Sequence, residues 1–276
     1  MKYLNVGCGS RFHSAWSNIN FNSTGENVIS CNLVKGIPFD DETFDVVYHS
    51  HLLEHFSKAQ AEIFLKECCR VLRPKGILRV VVPDLEQIAR TYLMALEKAT
   101  SGHPKWASNY DWILLEMYDQ TVRNKSGGEM ADYLCQENLV NEQFILERCG
   151  VEAKNLIAAK KELQTEPKTK IILKQIYRFC RYSNYRQDLV FKLLLGKEYT
   201  NWKIGQFRQN GEPHQWMYDR YSLGMLLAQC GLKNIVQRSP TESYIPQWAS
   251  FNLDTEPDGT IYKPDSLFME AVKLPA

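Results

Sequence analysis

Leu4-Asn5-Val6-Gly7-Cys8-Gly9-Ser10 is the stretch whose reading decides the fold. A short apolar run stops in two glycines one residue apart. It reads as a buried parallel strand that delivers the main chain to a ligand. Glycine lacks a Cβ and tolerates positive φ, so Gly7 and Gly9 permit a sharp turn and a close approach. A Gly-x-Gly turn also ends many ordinary strands, so the neighbouring chain must decide between the two readings.

Outward from that turn, Arg11 to Ser17 is too short and mixed for a full crossover helix, and Asn18 to Asn22 alternates as a strand. Asn27 to Leu33 reads as a third strand, and Ile37 to Thr43 as a loop of turn formers. Phe44 to Ser50 reads as a further buried strand. Ser57 and Gln60 have capping-box spacing, and Ala61, Phe64, Cys68, Val71 and Leu72 recur at helical intervals. Arg73-Pro74-Lys75-Gly76 reads as a turn and Ile77 to Val82 as a β-branched central strand. Asp84 with Gln87 reads as a second helix cap. Strands with nearly continuous apolar runs, alternating with helical patterns, indicate a doubly wound parallel α/β core.

The texture changes after about Thr91. Apolar residues fall at helical spacings among charges, with no β-rich run, and Lys160 to Lys170 reads as an exposed helix end and loop. The expected organisation is a cofactor-binding core over 1–90, a mainly helical insertion over 91–211 that lids the substrate side, and completion of the sheet over 212–276. In that last part Asp219 to Leu227 reads as a helix, with Gly231 near its end, and Asn234 to Val236 and Leu267 to Val272 read as strands.

Composition narrows the function. Lysine plus arginine number 33 against 32 acidic residues, so no global field draws the chain to nucleic acid or anionic lipid. No apolar run reaches the roughly 18 residues of a membrane span, and no charged leader followed by an apolar stretch opens the sequence, so a cytoplasmic location is expected. The 8 cysteines lack metal-ligand and disulfide-framework spacings, so reduced apolar thiols and no metal are expected.

Glycine-rich turns after a first strand serve three cofactor classes. A phosphate loop needs Gly-x-x-x-x-Gly-Lys-Ser/Thr, which is absent. A dinucleotide fingerprint needs a third glycine where Phe12 stands, and a full helix facing the pyrophosphate. S-adenosylmethionine, with no phosphate to hold, needs only the close backbone approach and polar groups for its ribose, adenine and methionine head.

Five stretches then stand in a telling order: Leu4 to Ser10, Trp16 to Asn20, Ile37 to Val47, Leu53-Glu54-His55 and Arg70 to Gly76. In this the chain resembles class I S-adenosylmethionine-dependent methyltransferases, and within them the type 11 group often linked to glycan or other small-molecule biosynthesis. The resemblance implies a Rossmann-like seven-stranded sheet with its last strand antiparallel and ligand at the carboxyl ends of the strands. It implies that Gly7, Cys8 and Gly9 line the methionine portion and that Asn20, with Phe21 beside it, takes the ribose position. It further places Asn32 and Leu33 at the adenine and His49 at the pocket mouth.

Asn5, Asn20 and Asn32 stand where the family commonly has acids. A neutral amide in place of a carboxylate on ribose hydroxyls gives up about 1–2 kcal/mol, roughly 5- to 30-fold in affinity. The competing reading is therefore a catalytically weakened or inactive methyltransferase-like binding protein or scaffold.

Methyl transfer is an in-line displacement at a sulfonium, so the protein mainly positions the acceptor and, for an oxygen acceptor, removes a proton. His51, just past the fourth strand, is the first candidate base and His214 the second, while His55 reads as a structural hydrogen-bonding residue. Arg123 and Arg208, in polar glycine-bearing stretches of the helical part, are candidates to hold a phosphate or carboxylate of the acceptor. Trp202, Trp216 and Trp248 are candidates to stack on a sugar. The expected partner is a small-molecule or glycan acceptor, with S-adenosylhomocysteine as co-product and no nucleic acid.

Overall fold

The computed structural model describes residues 1–164 and 168–275. Its strands are β1 (Tyr3–Val6), β2 (Ser17–Asn20), β3 (Val28–Ser30), β4 (Phe44–Ser50), β5 (Leu72–Pro83), β6 (Leu232–Arg238) and β7 (Ser266–Lys273). They form one seven-stranded sheet in the order β3-β2-β1-β4-β5-β7-β6. β1 to β5 are parallel, and β7 runs antiparallel to both β5 and β6. The carboxyl ends of β1 to β5 therefore share one edge of the sheet, as the Rossmann-like expectation requires.

Three local expectations are corrected. The second strand begins at Ser17 and stops at Asn20, whose Nδ2 donates to the Asn22 carbonyl and turns the chain back. The third stops at Ser30, because Asn32 caps a 3-10 turn over Leu33–Lys35 by accepting from the Val34 amide. The expected turn at Arg73 to Gly76 stays within β5 as a bulge: Phe44 pairs with Leu72 but Val46 with Ile77, and Lys75 takes a φ of 66°.

Period-two alternation sends the strands' side chains to two faces. One face carries Leu4, Val6, Ile19, Val47, Leu78, Val80, Val82 and Met269, packed under α1 (Lys58–Val71) and α9 (Arg220–Gln229). α1 starts on the expected box, with Ser57 accepting from the Gln60 amide and Gln60 accepting from the Ser57 amide. Asp219 caps α9 in the same manner.

The other face, over the middle of the sheet, is covered by loops. Residues 7–16 and 21–27, which link β1 to β2 and β2 to β3, contain no helix. Trp16, Ile245, Trp248 and Leu253 pack there on Val46, Tyr48, Ile77, Val81 and Phe268. Below this aromatic layer Arg79 is fully buried and uses all five of its N–H donors. Asp254 at 2.8 Å and Glu270 at 2.8 Å receive its charge, and the carbonyls of Ser239 and Glu242 take the rest. The Tyr48 hydroxyl donates to Asp254 at 2.6 Å. A buried guanidinium so compensated ties the loop after β6 to the sheet.

Between β5 and α9 the described chain is helical: α2 (Leu85–Thr100), α3 (Trp106–Val122), α4 (Gly128–Tyr133), α5 (Glu142–Gln164), α6 (Lys168–Arg181), α7 (Ser183–Leu195) and α8 (Tyr199–Arg208). Asp84 caps α2 by accepting from the Gln87 amide, as its spacing predicts. Of the Lys160 to Lys170 stretch, Thr165 to Pro167 lie outside the described residues. α2 packs on α3 through Ile88, Ala95 and Ile113, while Trp112, Leu134, Ile145, Ala153 and Ile157 form a second small core. Arg148 of α5 donates to Glu116 of α3 at 2.8 Å, a buried pair that pins the two helices.

α5 breaks its regular geometry at Gly150, where φ is 60° and ψ −139°. A Cβ there would lie 2.5 Å from Pro264 Cδ and 2.6 Å from the Tyr262 carbonyl. Only glycine lets residues 262–264 approach this closely, and the Val151 amide donates to the Tyr262 carbonyl at 3.1 Å. Among the described residues no helix is long and apolar enough to cross a membrane.

Candidate active site

The glycine turn is formed as its sequence requires. Gly7 and Gly9 have φ of 67° and 53°, and the amides of Gly7 and Cys8 both donate to the Ile19 carbonyl. A Cβ on Gly7 would meet Leu52 Cδ2 at 2.8 Å, whereas one on Gly9 would meet nothing within 4 Å. Gly9 thus opens onto free space. Asn5, Gly7, Cys8, Gly9, Ser10 and Arg11 line a cavity there, closed opposite by Tyr48, Ser50, His51, Leu253, Tyr262 and Lys263. Burial pushes the Cys8 thiol up to about 11, so it stays neutral.

Asn5 has an occupation that accounts for its identity. Its Nδ2 donates to the Arg11 carbonyl at 3.0 Å and to Asn18 Oδ1 at 3.3 Å. Asn18 in turn donates to the carbonyls of His13 and Trp16. The loop that replaces a crossover helix leaves buried carbonyls in need of donors. A carboxylate at position 5 has none to give.

Arg11 fixes the same loop to the C-terminal segment, donating to the carbonyls of Leu253, Asn252 and Thr255 and pairing with Glu256 at 2.8 Å. Its guanidinium also lies 3.9 Å over the Tyr262 ring.

A second cavity adjoins the first. His51, Pro83, Asp265 and Lys263 line its sheet side, and Trp112, Gln120, Arg123, Met130, Leu134, Glu152 and Leu156 its helical side. His51 and Lys263 belong to both cavities. Their volumes are about 190 and 210 Å³, together within the roughly 300–1,000 Å³ of small-molecule sites.

His51 sits at the junction with a φ of 49°, immediately after β4, its amide donating to the Val81 carbonyl. A non-glycine residue in this region is uncommon, and such strain is held where the surroundings over-determine it. Its Nε2 lies 2.8 Å from Ser266 Oγ and its Nδ1 3.2 Å from Glu54 Oε1. Glu54 is fully buried. Burial pushes its carboxyl up, but the hydrogen bond and charge of His51, with His214 and His55 behind it, outweigh this and leave it at about 2. Burial also works against the charge of Lys263, yet Glu152 at 2.7 Å, with Asp265 and Glu54, holds its ammonium above the ordinary lysine range.

The remaining site expectations divide. Gly7, Cys8 and Gly9 line the first cavity with Asn5. Asn20 lies at the end of β2 on the same sheet edge, half-buried and outside the cavity wall, and Phe21 is 64% exposed. Asn32 is a helix cap and Leu33 packs against the core, so neither lines the cavity.

His49 is corrected: it lies within β4 rather than at the pocket mouth, fully buried, edge-on to Phe64 of α1 at 5.1 Å. Burial pushes it down to about 4. His214 is also corrected as a lining residue. It stands behind the wall, 7% exposed, with burial pushing it down to about 3.

Arg123 lines the second cavity, but its charge is taken by Asp119 at 2.9 Å and Glu212 at 3.4 Å. Arg208 lines neither cavity and donates to the carbonyls of Thr121, Val122 and Arg123 at the end of α3. Trp248 is core, Trp202 packs on Phe191 and Tyr199, and Trp216 lies under Lys58, so none of the three faces either cavity.

Glu54, Lys263, Asp265 and Arg11 carry no assignment from the sequence. Leu53-Glu54-His55 carries the family resemblance, but nothing near it in the sequence points to a partner for its acid. Lys263 and Asp265 flank Pro264 just before the last strand, and that polar turn was the available signal.

With the turn, the two cavities and their shared residues in place, comparison with known proteins bears on the core. Residues 12–80, about a quarter of the chain, match the family model described as Methyltransferase domain. That stretch of the core is similar to a methyltransferase domain. The open backbone at Gly9, with Ser10 beside it and Ser50 on the opposite wall, suits S-adenosylmethionine.

No curated protein matches this chain. Among solved structures, a SAM-dependent methyltransferase from Archaeoglobus fulgidus is 11% identical over 99% of this chain and 86% of that one, with a TM-score of 0.40. A possible histamine N-methyltransferase from Thermotoga maritima is 10% identical over 99% and 82%, at 0.37. The cyclase SpnF is 22% identical over 29% of this chain and 38% of its own length, at 0.25. None of the three reaches 0.5, and none bears on the acceptor or the chemistry.

Proposed function

We propose that this methyltransferase alkylates a small hydroxylated acceptor, of glycan or related small-molecule type, held in the cavity between the sheet edge and helices α3 to α5. The observation that supports this reading is the junction: His51 and Lys263 are the residues common to the glycine-turn cavity and the helical-side cavity. A methyl group passing from one to the other goes by His51.

S-adenosylmethionine brings a sulfonium methyl whose leaving group is already activated. The chain's own residues orient the partner. Glu54 beside Nδ1 holds the His51 proton on that nitrogen and leaves Nε2 basic; the acceptor hydroxyl takes the place of Ser266 at Nε2 and gives up its proton there as its oxygen attacks the methyl group. Asp265 Oδ1 is buried and has no hydrogen-bond partner among the described residues, and with Glu152 it offers acceptors for further hydroxyls. Lys263, held charged by Glu152, adds a donor. Trp112, Met130, Leu134 and Leu156 supply an apolar wall that excludes water.

Calorimetry with S-adenosylhomocysteine tests the cofactor half. Micromolar binding supports the reading, and no heat at millimolar ligand transfers the case to an inactive scaffold. Mass-resolved assays of sugar and polyol panels test the acceptor half: a gain of one methyl on a hydroxylated compound is expected. Transfer confined to amines or thiols would refute the hydroxyl assignment.

A further inference from the structure

We propose that Glu54, His55 and His214 hold one divalent transition-metal ion beside the acceptor cavity. Nothing in methyl transfer from a sulfonium calls for a metal, so the site goes beyond the function argued above and stands on its own observations.

One donor atom from each of the three residues lies within 4.8 Å of the others. The segments that carry them are tied by backbone. Leu53–His55 is a 3-10 turn, and the Glu54 carbonyl accepts from the amides of Gln215 at 2.7 Å and Trp216 at 3.2 Å. The His214 amide donates to the Gln120 carbonyl at 2.9 Å. The residues thus meet by fixed main-chain contacts between stretches about 160 residues apart in sequence.

Each of the three carries buried polar atoms left unsatisfied. Among the described residues, Glu54 Oε2, His55 Nδ1 and His214 Nδ1 are buried without a hydrogen-bond partner, and Glu54 Oε1 has only His51 at 3.2 Å. The two rings stand edge to face, 88° apart with centroids at 4.8 Å, and neither donates to the other. A buried carboxylate and two buried ring nitrogens left so would each cost on the order of 1–3 kcal/mol. One cation satisfies all three.

The donor set selects the class of ion. Two imidazoles and a carboxylate suit zinc or another borderline first-row ion, whereas magnesium and calcium prefer all-oxygen shells. Zinc held by two histidines and a glutamate keeps a fourth position open. Bonds of about 2.0–2.2 Å in a tetrahedron place donors about 3.3–3.6 Å apart, so binding draws the three together by about 1.5 Å or less, within reach of side-chain rotation. The neighbouring positive charge of Arg123 is compensated by Asp119 and Glu212. His51 and the buried, unpartnered Tyr218 hydroxyl form the outer ring of polar groups.

The test uses the full-length protein made without a polyhistidine tag, stripped with chelator and titrated with cobalt(II) chloride. One equivalent is expected to give the visible absorption of a nitrogen- and oxygen-ligated ion, without a thiolate charge-transfer band. His55→Ala and His214→Ala are expected to weaken cobalt binding by about 100-fold or more, with circular dichroism unchanged. Should either fail to fold, the near-isosteric Glu54→Gln and His55→Gln carry the same expectation. No absorption at one equivalent of cobalt overturns the site, as does absorption that survives the substitutions. A thiolate band places the ion on cysteines and overturns it equally.

Discussion

The glycine-turn cavity and the helical-side cavity share His51 and Lys263, yet they are built in opposite ways. The first is walled largely by main chain and neutral side chains, Gly7, Cys8, Gly9, Ser10 and Ser50, delivered by two adjoining strand ends. The second is walled by charged residues set among apolar ones, drawn, His51 apart, from segments between Pro83 and Asp265. A sulfonium carries its own charge and asks mainly for a close backbone approach. The uncharged acceptor proposed for the second asks for polar groups fixed in place before it arrives, and buried ion pairs such as Glu116–Arg148 and Arg123–Asp119 hold the helices that carry them.

The largest expected effect breaks the floor beneath the cofactor side. Arg79→Ala leaves Asp254 and Glu270 buried without their counter-charge, at about 3–5 kcal/mol of stability. Urea titration reads this, and a midpoint unchanged from wild type would show that the aromatic layer holds that face alone. Next in size, His51→Ala is expected to lower turnover by about 10²- to 10⁴-fold while leaving S-adenosylhomocysteine affinity nearly intact. An equal loss of both would move His51 from the acceptor side to the cofactor side.

His49 separates packing from chemistry. Its folded value of about 4 lies below the ordinary 6.5, so the unfolded chain binds the proton first as pH falls. The stability its neutral form contributes is complete above pH 6.5 and drains between 6.5 and 4, by up to about 3 kcal/mol. His49→Leu is expected to flatten stability over that window, and an unchanged acid profile would show that His49 is not the group responsible. The smallest effect concerns the ribose. Asn20→Asp is expected to tighten S-adenosylhomocysteine by about 5- to 30-fold if the ribose reaches the end of β2. Equal affinity in calorimetry would place the ribose elsewhere.

The same contrast explains what could be read from the sequence. The sheet and α1 are written in local signals: apolar runs, the Ser57 and Gln60 box, and two glycines at the end of β1. Most of the site depends on pairings that no local pattern displays. Asn5 looked like a lost acid because the loop carbonyls it serves belong to residues brought back over it by the chain's missing crossover helix. The resemblance puts His49 at the pocket mouth; the strand's bounds are legible, but which face its side chain takes, here buried against Phe64 of α1, is not. Gly150 had no apparent role, since its reason is the approach of Tyr262 and Pro264 from over 100 residues away. Glu54 acquired a function only once His51, His55 and His214 were seen around it.

A structure with S-adenosylhomocysteine bound tests the central claim most directly. The methionine head is expected against Gly7 to Gly9, with the sulfur directed past His51 toward the cavity lined by Arg123, Glu152 and Asp265. A ligand seated in that second cavity, or a sulfur turned away from His51, would contradict the account.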